Sequence, residues 1–380
     1  MKSVTRTVAA LLSVILMTSS LAACGSKPTP SPSSKASSTS TTASSTSTPA
    51  SSSVAPAPSS EPTPEPKKET PKELTMYIGV VEQQALKIAE EFEKASGIKV
   101  NFVRMSGGEI LGRVRAEKEN PKASVWYGGS ADSFIAAKKE GLLQPYVSPN
   151  AAKISEQFKD KEGYWTGIYQ GYLGFICDQR FFDENKLELP KTWDDLLKPE
   201  FKGQIMVANP GSSSTGYLLL STMIQMNGEE KGLAYMKALN GQIKQYTKSG
   251  EAPAKSAALG ECAIGITFLH NGIRLMKEGF TNISLSAPTE GTSFELGSTA
   301  ILNGAPEEEA AKMFIDWCLT KECQEIGQTY TNSYQFLTNP DAKTPAEALA
   351  LKDTKLVKFD FVWSGENKDR LLEAWDKAVK

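Results

Sequence analysis

Apolar and polar positions follow two rhythms along this chain, and the first 73 residues follow neither. From Leu74 onward, short apolar runs alternate with apolar residues at helical spacing. Residues 74–78 (LTMYI) predict a strand, and Ala85, Ile88, Ala89 and Phe92 predict a helix ended by Gly97. Residues 98–103 predict a second strand, Ile110, Leu111 and Val114 a second helix, residues 124–126 a third strand, and residues 134–139 a helix closed by Gly141. Repeated strand–helix units imply a parallel sheet flanked by helices, in which ligands bind beyond the carboxyl ends of the strands.

The pattern changes at residues 163–178. Tyr164, Trp165, Ile168, Tyr169, Tyr172, Leu173, Phe175 and Ile176 form an extended aromatic stretch interrupted by Gly167, Gly171 and Gly174, which predicts a strand crossing into a second lobe. A second set follows: a helix at 193–197, a strand at 204–208, helices at 217–225 and 231–239, and a strand at 263–267. Phe294–Leu302 is extended again and predicts the return crossing. Ala305 and Pro306 then open a helix whose acidic first turn, residues 307–309, suits the positive end of its dipole. The fold class is α/β, with two lobes joined by two crossing strands and a ligand cleft between them. Lobe 1 is expected at 74–171 plus about 290–338, and lobe 2 at 172–289 plus about 339–380.

The N-terminal residues change the picture of where this body works. Lys2 and Arg6 precede an apolar run at 8–17, about half the length a membrane span needs, so residues 1–23 read as a secretory signal peptide. Residues 21–24 (LAAC) resemble the lipobox of bacterial lipoproteins, which implies cleavage before Cys24 and a lipid on its sulfur. An ordinary secretory signal with an incidental cysteine is the alternative. Residues 24–73 are expected to be that lipidated cysteine and a disordered linker, because about two-thirds of residues 25–73 are Ser, Thr or Pro and little apolar surface offsets the entropy of ordering. A flexible chain of that length reaches on the order of 40 Å.

Composition mainly excludes. The body carries 35 basic against 40 acidic side chains and no basic cluster, which argues against a nucleic-acid partner. His270 is the one histidine, so zinc sites needing two imidazoles are ruled out and no metal site is expected. Cys177, Cys262, Cys318 and Cys323 read as buried free thiols, with Cys318 and Cys323 on different faces of a helix at 313–323.

Candidate chemistry gathers at helix starts. Residues 209–216 follow a strand and precede an apolar helix, so unpaired N–H groups and the hydroxyls of Ser212, Ser213, Ser214 and Thr215 converge where an anion would bind. Gly211 and Gly216 have P-loop spacing, but Tyr217 stands in the place of its lysine, and nucleotide hydrolysis is not supported. Ser106, Gly107 and Gly108 make a similar start in the first lobe, where Ser106 and Glu109 form a capping box. Gly129 and Ser130 close a strand with room for close backbone approach. Each also has a purely structural reading, as a helix cap or a tight turn.

Six strings then carry a resemblance: residues 104–109 (RMSGGE), 124–132 (SVWYGGSAD), 187–196 (LELPKTWDDL), 209–216 (NPGSSSTG), 249–253 (SGEAP) and 297–301 (GSTAI). In order and spacing they resemble the family 1 extracellular solute-binding proteins of ABC importers, in the ferric-iron and phosphorylated-solute branch, over nearly all of residues 74–380. The resemblance implies a type II periplasmic-binding-protein-like fold that closes on its solute and delivers it to a membrane permease, with no catalysis and no cofactor. Ser249, in the fifth of these strings, is a further candidate ligand-binding residue.

Iron-binding members of the branch carry adjacent tyrosines just after the strand matching 263–267, where phenolate oxygens suit Fe(III). Here the stretch reads Phe268, Leu269, His270, Asn271. Sugar-phosphate-binding members place a His, a following carboxamide or acid, and a later Glu on sugar hydroxyls, which implies that role for His270, Asn271 and Glu290; Asn271 stands where several such relatives have Asp. Among aromatics that could stack on a sugar, Trp126 and Tyr127 are expected in the cleft, Trp165 and Tyr169 at the hinge or cleft, and Trp193 and Trp317 in the core. The expectation is a monomeric lipoprotein on the outer face of the cell membrane that captures a small anionic solute, a phosphorylated sugar or organophosphonate. An Fe(III) or a neutral-sugar receptor is the alternative. A secreted serine hydrolase is more remote, since the chain lacks GxSxG.

Overall fold

A computed structural model describes residues 71–380; the expected signal peptide 1–23, Cys24 and all but the end of the 24–73 linker lie outside the described residues. In chain order the strands are β1 (Glu73–Ile78), β2 (Lys99–Arg104), β3 (Val125–Ser130), β4 (Leu143–Gln144), β5 (Thr166–Asp178), β6 (Ile205–Ala208), β7 (Ile243–Thr247), β8 (Ile264–Phe268), β9 (Ile283–Ser286), β10 (Phe294–Leu302) and β11 (Phe336–Leu337). Their main order is β2-β1-β3-β10-β5-β8-β6-β7. β1 pairs in parallel with β2 and β3, and β6 pairs in parallel with β7 and β8. Each parallel set is one lobe.

β5 joins them. Its residues 166–172 lie antiparallel to β10, and from Leu173 to Cys177 it lies antiparallel to β8, so one strand passes from the first lobe into the second as the aromatic stretch predicts. The expected return crossing needs correction. All partners of β10 belong to the first lobe, with Leu296, Ala300 and Leu302 buried in a first-lobe core, whereas β9 still pairs with the second half of β5. The chain crosses back before Phe294, at residues 287–293, where Ser293 O accepts from Leu173 N–H at 3.1 Å.

Helix Glu82–Ser96 shows why these elements form. Ala85, Ile88, Ala89 and Phe92 are its buried face, and Gly97 at φ 74° adopts the left-handed conformation that ends it. Helices cover both faces of each parallel set, which is why β3 is buried along its length. The C-terminal helix Lys368–Val379 places Leu371 and Trp375 in the second-lobe core beside Trp193 and Tyr217.

Two further expectations change. Trp126 and Tyr127 are core residues, Trp126 stacking on Phe134 with centroids 4.2 Å apart, because alternation along β3 sends one ring to each covered face. The helix expected at 313–323 stops at Cys318, and Thr320 caps a new turn, Lys321–Gln324. Cys318 and Cys323 therefore enter the same core cluster instead of facing apart; both are free, and burial pushes both thiols above their usual pKa. Among the described residues no helix is long and apolar enough to cross a membrane.

Candidate functional site

The carboxyl ends of β1, β2, β3, β6 and β8 all face the gap between the lobes, where the strand-end rule puts a ligand. A cavity of about 70 Å³ lies there. Five helices begin at it or one residue from it: Glu82–Ser96 after Val81, Gly107–Ala116 after Ser106, Ala131–Lys139 just past Gly129, Ser214–Asn227 after Ser213, and Leu269–Lys277 after Phe268. Each start carries unpaired backbone N–H groups and the positive end of a dipole, so the five together make a strongly positive potential without a single lysine.

The lobes meet around this cavity. Ser106 Oγ donates to Lys248 O across the gap at 3.1 Å, Ser133 Oγ lies 3.2 Å from Ser214 Oγ, and Arg104 Nη2 lies 3.6 Å from Glu251 Oε1. The capping box expected at Ser106 is made, with Glu109 Oε2 accepting the Ser106 N–H at 3.1 Å. Ser213 caps its helix by accepting the Thr215 N–H at 3.2 Å. Gly129, at φ 94°, holds a left-handed conformation that a side chain would strain, and its N–H reaches the Tyr169 hydroxyl at 3.3 Å.

Of the residues named from sequence, Ser106, Gly107, Gly129, Ser213, Ser214, Thr215, His270 and Asn271 line the cavity. Gly108, Ser130, Ser212 and Ser249 lie behind the lining: Gly108 packs against the Gly211 and Ser212 backbone, and Ser212 Oγ turns to Lys248 O at 3.5 Å. Glu290 is elsewhere, its Oε1 accepting the Trp193 N–H at 2.6 Å, where it fixes the start of the turn at Asp194–Leu197. No tryptophan lines the cavity; Tyr169 and Phe268 are its aromatic walls.

Charged residues absent from the sequence-derived candidates also line the cavity. Arg104 and Arg274 approach the cavity from opposite lobes, and Glu251 sits between them, 3.3 Å from Arg274 Nη2. Arg274 Nε and His270 Nδ1 are buried with no hydrogen-bond partner. Burial, and then the nearby Arg274 charge, hold the His270 pKa down to about 3, so the imidazole is neutral. Glu295, on β10, is 5% exposed and faces His270 across Gly171, where an added Cβ would lie 2.6 Å from His270 Nδ1 and 3.1 Å from Glu295 Oε1. Burial, and then Asp132, raise the Glu295 carboxyl well above the usual range and keep it protonated.

With His270 and Glu295 neutral, two guanidiniums, one carboxylate and five helix starts face the cavity. The balance is positive and the donors outnumber the acceptors, an arrangement that suits an anion bearing hydroxyls. Hard-metal binding fits less well. Tyr169 supplies one phenol, which burial pushes well above its usual pKa and so keeps protonated, and among the described residues no cluster of three His, Cys, Asp or Glu is placed to hold a metal ion.

Fold and cleft together define a two-lobe solute-binding protein of the periplasmic-binding-protein type. Residues 120–361 match the family described as bacterial extracellular solute-binding protein. An uncharacterized Haemophilus influenzae protein is 38% identical over 304 residues, which is 77% of this chain and 88% of that one. A Salmonella typhimurium periplasmic protein named for 2-aminoethylphosphonate binding is 27% identical, covering 62% of this chain and 68% of its own. The periplasmic binding protein AfuA from Actinobacillus pleuropneumoniae, solved with exogenous fructose-6-phosphate bound, superposes with a TM-score of 0.79 at 36% identity, over 81% of this chain and 98% of its own. The ferric binding protein from Campylobacter jejuni, at 21% identity and a TM-score of 0.69 over 80% of this chain and 99% of its own, shares the fold alone. The chain belongs to the bacterial extracellular solute-binding protein family. It is the solute-binding component of an ABC importer and works outside the cytoplasm.

Proposed function

We propose that this protein captures a small organophosphate or organophosphonate, a sugar phosphate foremost, and delivers it to a membrane permease. One observation carries the proposal: helix starts from both lobes and the guanidiniums of Arg104 and Arg274 converge on one cavity. In this proposal the phosphoryl group lies against Ser106, Gly107, Gly129 and the Ser213–Thr215 turn. The sugar hydroxyls lie against His270, Asn271 and Glu295, where a neutral imidazole and a protonated carboxyl offer one acceptor and one donor. The similarity to a fructose-6-phosphate-binding protein supports this solute class. We read the protein as a monomer without enzymatic activity. Cys24, in its lipobox-like string, is the proposed lipid anchor to the outer face of the membrane.

Thermal unfolding and calorimetry of the purified protein with glucose 6-phosphate, fructose 6-phosphate, 2-aminoethylphosphonate, glucose and ferric citrate test this. A ligand at a hundred times its Kd stabilises by about 2.7 kcal/mol, so an organophosphate should raise Tm while glucose does little. Joint replacement Ser213→Ala and Ser214→Ala should weaken phosphate binding with the lobe still folded, and His270→Ala should alter selectivity among sugars. Equal shifts from glucose and glucose 6-phosphate, or a response to ferric citrate alone, would overturn the anion site.

A further inference from the structure

The C-terminal segment holds both lobes at once. The apolar face of helix Lys368–Val379 is built into the second-lobe core through Leu371 and Trp375. Its first turn and the residues before it grip the first lobe instead. Lys368 Nζ donates to Asp132 Oδ2 at 2.6 Å, the Asp369 carboxylate takes Arg115 Nη2 at 2.7 and 3.0 Å, and the Glu366 carbonyl accepts from Lys139 Nζ at 2.9 Å. Gly365 lies flat on Ile135, where an added Cβ would sit 2.6 Å from the Ile135 side chain.

Of the three polar contacts, the first alone is dry. Asp132 is 0% exposed and Lys368 3% exposed. The ammonium also lies 3.5 Å from the centroid of the Tyr217 ring, whose hydroxyl donates to Ser364 O at 2.6 Å. Asp132 Oδ1 is buried and unpartnered, and Ser133, the next residue, touches the cavity-lining Ser214. The charge pair therefore sits one residue behind the anion-binding turn, with its members on opposite lobes.

We infer that Asp132 and Lys368 are positioning residues that set the solute affinity of the cleft from outside it, a role that rests on the solute-binding function proposed above. Opening the cleft separates the pair and returns both charges to water; closing it buries them together. Removing one partner leaves a lone buried charge in the closed state and a hydrated one in the open state, so the open state gains. Apparent affinity falls in proportion to the closed fraction. Removing both charges relieves the closed state again.

The test compares Lys368→Met, Asp132→Asn and the double variant with the parent, using fructose 6-phosphate and inorganic phosphate as probes. Interlobe distance is read in parallel by spin labels at Lys118→Cys and Lys237→Cys, both exposed, the four described native cysteines being buried. Expected are a tenfold or greater rise in Kd and a longer unliganded distance for each single variant, with the double variant nearer the parent on both. A second pair, Arg115→Ala and Asp369→Ala, removes the surface contact of the same clasp without a buried charge and should lengthen the distance less; it decides the matter if a buried variant does not fold. Unchanged Kd and unchanged distance in the single variants overturn the inference, as does a double variant no closer to the parent than either single. If the parent binds neither probe, the proposed solute class fails by itself, and the unliganded distances still decide the clasp.

Discussion

Gly107 and Ser214 meet across the cleft with no space for a methyl group between them: a Cβ on Gly107 would overlap the Ser214 hydroxyl and lie 3.3 Å from Ser214 Cβ. The two residues open facing helices on opposite lobes, so any side chain here acts as a wedge. Gly107 is the first residue of its helix, so Gly107→Ala gains the isolated helix at most the interior difference of about 1 kcal/mol and does not oppose folding, which separates its effect on closure from its effect on folding. Expected is an unchanged or slightly raised Tm without ligand, with sugar-phosphate affinity reduced about tenfold, or about 1.4 kcal/mol. Calorimetry that returns the parent Kd would show that the lobes do not need this approach to hold solute.

Much of this architecture is legible in the chain because it is local. The strands and helices of the first lobe, the capping box at Ser106 and the hydroxyl-rich turn at Ser213 each announce themselves within a few residues. The charges that complete the cavity do not. Arg104 and Glu251 stand in strings that resemble the family without a pattern of their own, and they meet only when the lobes do. Arg274 was within reach, since it lies four residues after His270 and so on the same helical face. Glu295 carries a signal too, an acid inside the apolar strand β10, whereas Glu290, implied by the family resemblance, holds the Trp193 N–H. Asp132 and Lys368 are 236 residues apart, and no periodicity relates them.

His270 gives the folded state a pH dependence of known sign. Its pKa is about 3 when folded and about 6.5 unfolded. Between those values the unfolded chain binds a proton that the folded chain refuses, so stability is complete above pH 6.5 and is lost as pH falls toward 3. At pH 5 the loss from this group is about 2 kcal/mol. His270→Gln should therefore lose less Tm than the parent between pH 7 and pH 5. Parallel Tm profiles for the two proteins would mean that the imidazole is solvated.

Glu295 has the opposite sign. Its folded pKa is raised well above that of an unfolded glutamate, by burial and then by Asp132. The unfolded chain releases its proton above about pH 4.3 while the folded chain keeps it, so stability present at low pH declines as pH rises, by at most about 1.4 kcal/mol per unit, until the folded pKa is passed. Glu295→Gln keeps the neutral donor and removes the titration. The variant should overtake the parent in Tm between pH 5 and pH 8 while retaining sugar-phosphate binding. A variant that loses binding at every pH would show that the solute requires the carboxylate itself.

Glu251 poses a contest between two electrostatic effects. Its carboxylate bridges Arg104 and Arg274 at 3.6 and 3.3 Å, and so occupies the two guanidiniums that a phosphate would seek. Glu251→Gln removes one interlobe ion pair, and with both side chains about a quarter exposed that pair contributes at most about 1 kcal/mol to closure. The same change removes a negative charge that would face a bound phosphate at about 5 Å, a repulsion of about 3 kcal/mol at an effective dielectric of 20. The second effect is larger. Glu251→Gln should bind organophosphates more tightly, on the order of tenfold, with a steeper loss of affinity as salt is raised and no gain for a neutral sugar. Weaker phosphate binding, measured by calorimetry at low and high ionic strength, would show instead that Glu251 serves chiefly to shut the cleft.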